Sequence, residues 1–143
     1  MLRRWLIPVV TVMLLAGCAN QEPTPSADGN DLFFPRHGSP LGAGDAALLE
    51  GDLLFVDGCL LVEAGEGTRA LVLWPVDTEP GVINGQPVIL GPGRELLAEA
   101  GSSIRLGGSA VVGRRLAEEL VGAIPERCVS GDFWGVSTVE SRP

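Results

Sequence analysis

Few side chains in this 143-residue sequence can do chemistry: three cysteines, one histidine and 18 carboxylates, with no lysine and no tyrosine. Nucleophilic catalysis needs a base held within reach of the nucleophile by a rigid scaffold. The one histidine, His37, instead stands beside Pro35-Arg36 in a polar stretch. No Gly-x-Ser-x-Gly elbow occurs, and Gly101-Ser102-Ser103 reads as a turn entering a strand. Zinc patterns need more His and Cys than are present, so no metal site is expected. Gly91-Pro92-Gly93 and Gly107-Gly108 lack the lysine and the strand–loop–helix setting of a phosphate loop. Asp28-Gly29-Asn30-Asp31 reads as a solvated turn rather than a calcium loop. Asp52, Asp57, Asp77, Glu79 and Asp132 fall near expected strand ends and leave a carboxylate-pair hydrolase open. With 18 acidic residues, such proximity arises by chance. The expectation is therefore no enzyme and no cofactor. Two aromatic residues at strand termini, Trp74 and Trp134, could stack on a sugar or grip a peptide. Burial in the core is the preferred reading for both.

The third kind of chemistry is covalent and lies at the N-terminus. Arg3 and Arg4 precede an apolar run from Trp5 to Leu15, too short to span a bilayer but right for the apolar part of an export signal. Leu15-Ala16-Gly17-Cys18 follows. These four residues resemble the lipobox of bacterial membrane lipoproteins. The resemblance implies that the Cys18 thiol receives a diacylglyceryl group and that the chain is cut before Cys18. It also implies that the protein is held extracytoplasmically on the cell membrane or outer membrane. Two or three acyl chains anchor stably, whereas one holds only marginally. Ala19 after the cysteine is similar to lipoproteins sent to an outer membrane where one exists. An ordinary secretory signal or an uncleaved anchor are the alternatives.

If Cys18 is lipidated, Cys59 and Cys128 are the one remaining pair. An oxidising compartment lets a disulfide persist, and a structural bridge is the preferred reading. Two buried free thiols, or a redox pair lacking the usual Cys-x-x-Cys, are the alternatives.

The composition sets the frame that must position these residues. The sequence is 45% hydrophobic with 20 Gly and 11 Pro, as expected for a turn-rich globular chain rather than a disordered one. A net charge of −8 lacks the basic footprint that nucleic-acid binding requires. Loss of Arg3 and Arg4 with the leader leaves eight basic against 18 acidic residues, a net charge of −10. Such a body is repelled by anionic headgroups, so the lipid must do the holding.

Three regions follow: a signal and lipidation site over 1–18, a Pro-rich polar tether over 19–42, and one domain over 43–143. Leu32-Phe33-Phe34-Pro35 interrupts the tether's polarity. It either packs on the domain, the preferred reading, or offers Phe33 and Phe34 to a partner. Short apolar runs separated by turn residues predict strands over Asp52–Val56, Cys59–Glu63, Arg69–Trp74, Pro87–Leu90, Arg94–Leu97, Ser103–Leu106, Ala110–Val112 and Phe133–Val139. Gly65-Glu66-Gly67-Thr68 predicts a hairpin link, and Pro75 a strand end. Ile104 and Leu106 should face inward and Ser103 and Arg105 outward. Leu53–Val56 and Leu71–Trp74 should be covered on both faces. A helix is predicted over Arg114–Val121, stopped by Gly122, with Leu116 and Leu120 on one face and Ala117 and Val121 beside them, docked on the strands because two turns are not stable alone. Arg69, Arg105 and Arg127 should pair with the surplus acid.

The expected fold is all-β: a small OB-like or related closed barrel with one short helix before the last strand. Gly51-Asp52-Leu53, Asp57-Gly58-Cys59-Leu60, Leu73-Trp74-Pro75, Arg105-Leu106-Gly107-Gly108 and Cys128 also resemble uncharacterised small envelope lipoproteins, which bring no activity with them. The functional expectation is a lipid-anchored extracytoplasmic protein that binds or scaffolds another envelope component. Its partners are then the membrane, through Cys18, and an envelope protein or glycan. An envelope-glycan or small-ligand module and a carboxylate-dependent hydrolase are the alternatives.

Overall fold

The computed structural model describes residues 31–44 and 47–141. Chain order gives β1 (Arg36–His37), β2 (Ala47–Val56), β3 (Cys59–Glu63), β4 (Arg69–Pro75), β5 (Glu79–Ile83), β6 (Gln86–Leu90), β7 (Leu96–Glu99), β8 (Ser103–Val111), α1 (Arg114–Val121) and β9 (Asp132–Ser141). Single 3-10 turns lie at Gly65–Gly67 and Glu126–Cys128.

Turn chemistry sets the meander. Asp57-Gly58 and Asn84-Gly85 both take positive φ at both positions, the two-residue hairpin geometry that matches strand twist. They join β2 to β3 and β5 to β6, with Val56 opposite Cys59 and Ile83 opposite Gln86. Pro80 sits in edge strand β5, where a missing N–H is tolerated.

Five strands close on themselves by hydrogen bonds. β2 pairs with β3 and β8, β3 with β4, and β8 with β9, all antiparallel, while β9 lies parallel to β4 and completes the ring. This is the OB-like order expected of the chain, with α1 before the last strand. The second sheet, β5-β6-β7, is inserted between β4 and β8. It contributes Ile89 and Ala98, and the turn after it Ala100, to the ring's interior cluster, beside Leu53, Leu60, Val72, Trp74, Leu106 and Val136. A second cluster lies on the other face of β3 and β4: Leu61, Leu71, Leu73 and Phe133, packed against Ala117, Ile124 and the two cysteines. β4 is therefore buried on both faces, which is why its sequence does not alternate. Ile104 and Leu106 face inward as expected, each about 1% exposed or less.

One irregularity keeps β9 useful along its length. Gly107 pairs with Thr138 and Gly108 with Val136, leaving Ser137 as an extra residue. The bulge lets Val136 and Val139 both pack on the interior cluster despite their odd spacing. Gly108 has no room for a side chain, because a Cβ there would lie 1.9 Å from the Gly135 carbonyl oxygen.

Several expectations need correction. The runs at Ser103–Leu106 and Ala110–Val112 are one strand, because Gly107-Gly108 serves the bulge rather than a turn. β7 begins two residues later than Arg94, whose φ of 61° belongs to a turn. β5 has no counterpart among the expected strands, since Pro and Gly hid it. On α1 the side that docks is that of Ala117 and Val121, while Leu116 and Leu120 stay exposed. The tether expected over 19–42 divides: 19–30 lie outside the described residues, whereas Leu32 and Phe34 pack on the interior cluster and β1 pairs with β4.

Candidate functional site at the open end of the ring

β3 runs from the Asp57-Gly58 turn toward the Gly65–Gly67 link, so these mark opposite ends of the ring. The chain enters at the first end. The Phe33 N–H donates to the Gly58 carbonyl, and Arg127 donates to the carbonyls of Asp57 and Asp31. Large side chains fill the interior along most of its length. Near the second end the lining residues become small, with Ala64, Ala70 and the exposed Ala110, and Gly113 and Gly131 beside them. A cavity of about 270 Å³ results, walled also by Leu49, Val62, Val111, Phe133 and Trp134. Thr68 and Asp132 are the polar side chains at its edge. The volume is near the lower end for ligand pockets, and the wall is apolar as such pockets are.

The two tryptophans part company here. Trp74 is fully buried, stacked on Phe34 with ring centroids 5.6 Å apart and planes 3° from parallel. Trp134 is half-buried and lines the cavity. Both indole N–H groups are buried without an acceptor among the described residues. Phe33 is half-buried and bridges to Cys59, so the arm packs rather than standing free. Cys59 and Cys128 form a disulfide with both residues fully buried. Cys18 lies outside the described residues, as does most of Asp28-Gly29-Asn30-Asp31.

The five carboxylates considered for hydrolysis are dispersed. Asp52 accepts from the Ser103 hydroxyl, Asp77 from the Leu41 N–H, and Glu79 pairs with Arg94. Asp57 occupies a hairpin turn at the entry end, and Asp132 the edge of the cavity at the other. No group of three or more His, Cys, Asp or Glu converges to hold a metal among the described residues. Arg69 pairs with Glu63, and Arg105 reaches Glu50 and Glu140 on the strands either side. Arg127 spends its guanidinium on backbone carbonyls instead.

A second groove, of about 240 Å³, lies between the arm, β8, β9 and the end of α1. His37 is 9% exposed in its wall; Nε2 lies 2.8 Å from the Val136 carbonyl oxygen, and Nδ1 accepts from the Ser39 N–H. Those contacts fix the tautomer with the proton on Nε2. His37 is thus a structural pin on the arm, a role its polar sequence neighbours concealed. The turn after α1 is held by Glu118, which accepts from the Ile124 N–H and from Arg114. Arg114 also contacts Glu126 and the Ile124 carbonyl. The Ile124 N–H first, and Arg114 second, hold the Glu118 carboxyl below the usual glutamate range.

The cavity itself escaped sequence reasoning because alanine and glycine at strand ends read as punctuation. Only their meeting at one end of the ring, from β4, β8 and the turns beside them, makes a space. Comparison of the chain with protein-family models, curated proteins and solved structures finds no match. No helix among the described residues is long and apolar enough to cross a membrane.

Proposed function

We propose that this chain is a lipid-anchored, extracytoplasmic, non-catalytic protein that binds or scaffolds another component of a cell envelope. The buried Cys59–Cys128 bridge carries this reading. Such bridges persist in oxidising compartments and are rare in the cytosol. The leader Arg3-to-Leu15 and the lipobox ending at Cys18 would send the chain to such a compartment. The cavity beside Trp134 supports binding, and its mainly apolar wall suits an apolar group better than a sugar ring, which needs many hydrogen-bond partners.

Mass analysis of the native protein tests the anchor. The expected mature chain begins at Cys18 and carries a diacylglyceryl mass on that residue. Cys18→Ala should leave an uncleaved precursor or release the protein from the membrane fraction. A native chain beginning upstream of Cys18, or one without fatty acid, overturns the reading.

A further inference from the structure

We infer that the cavity at the open end of the ring receives one apolar side chain of a protein segment that carries lysine or arginine beside it. This rests on the proposed binding role and names the partner's chemistry.

Three observations converge. The wall is apolar and open, and Val112 extends it outward at 85% exposure. The charge around it is negative. Asp132 stands at the edge, and Glu66 sits at the tip of the link whose Ala64 and Thr68 form one wall. Neither has an ion-pair partner among the described residues, whereas Arg69, Arg114 and Arg115 are already paired with glutamates. A net charge of −8 makes a cationic partner the complementary one and a second copy of this chain the repelled one. Finally, the opening lies at the end of the ring opposite Asp31, where the chain enters. Twelve residues, 19–30, separate Cys18 from that point. An acyl chain of the anchoring bilayer would reach the cavity only if those residues doubled back along the domain. A protein arriving from the other side meets it directly.

The test uses the mature-length chain in detergent-free solution, followed by the chemical shifts of the Trp134 indole and neighbouring amides. The probes are acetyl-Lys-Lys-Phe-Lys-Lys-amide and its counterpart with glutamate at each lysine. The basic peptide should shift Trp134, and the acidic one should bind at least about tenfold more weakly, since like-charge juxtaposition penalises it. Asp132→Asn should weaken the basic peptide about two- to fivefold at low salt, with the difference lost near 0.5 M salt. Ala110→Trp, a change at an exposed wall position, should fill the space and cut binding at least about tenfold with the melting temperature retained. If Ala110→Trp loses its fold, Asp132→Asn and the peptide pair still decide. Equal binding of both peptides, no binding of either, displacement by laurate, or a dimer that closes the cavity overturns the inference. The anchor experiment on Cys18 is independent, so failure of one reading is distinguishable from failure of the other.

Discussion

Replacing both bridge cysteines, as Cys59→Ala with Cys128→Ala, tests how much of the domain's stability rests on one covalent bond. The bridge joins β3 to the 3-10 turn before β9, closing 69 residues of sequence separation. A closed loop of that size removes unfolded-state entropy worth about 4.4 kcal/mol at 25 °C in the chain-entropy model. Whole-domain stabilities are about 5–15 kcal/mol, so the loss is a large share. The bridged segment has few other ties to β3, since Ala117 and Ile124 are the buried aliphatic residues between Val111 and Cys128. For a domain of this size the loss corresponds to a fall of roughly 15–20 °C in melting temperature. Urea unfolding and thermal melts of the double variant, beside the oxidised parent, give the number. The double variant avoids the free thiol that either single change would leave. A loss below about 1 kcal/mol would refute the loop-closure reasoning and mean that α1 and the following turn are held by packing alone.

Phe34→Ala removes the ring stacked on Trp74 and should cost about 3 kcal/mol, with faster hydrogen exchange at the Trp74 N–H, which the Pro35 carbonyl now accepts. Unchanged exchange there would show that the arm does not depend on that stack. Gly108→Ala should destabilise by more than about 2 kcal/mol, because the Gly135 carbonyl oxygen occupies the space of the new methyl; a near-neutral melt would contradict the bulge geometry. Glu118→Gln should lower stability near neutral pH. A carboxyl held below its unfolded value stabilises the fold above that value and loses the contribution as pH falls through the folded one. Parent and variant melting temperatures should therefore converge as pH drops below about 4, from the unperturbed glutamate value. A constant gap down to pH 3 would place the effect elsewhere.

The legibility of the sequence followed the kind of force at work. β3 and α1 were read to the residue because their signals are local: turn glycines at Gly58, Gly65 and Gly122 bound them. β5 was missed because Pro80 and Gly81 oppose strand propensity, and only pairing with β6 overrides that. Leu116 and Leu120 share a face, as periodicity gives, but periodicity does not say which side meets the sheet, and they stay exposed. In α1 the close approach needed the small side chain of Ala117.

Composition and spacing alone determined the all-β class, the short helix α1 and the positions of most turns, whereas the pairing of Cys59 with Cys128 was expected only through the lipobox resemblance at Cys18. These depend on neighbours within a few residues, or on counting. Tertiary structure alone decided that Trp74 is core while Trp134 borders a cavity, that His37 pins an arm, and that Ala64, Ala70 and Ala110 meet around one space. Those outcomes depend on ring closure, which brings Ala70 beside Asp132 from 62 positions away. Nothing in the local pattern of either strand encodes that meeting, because the parallel β4–β9 pairing forms only once the whole ring has closed.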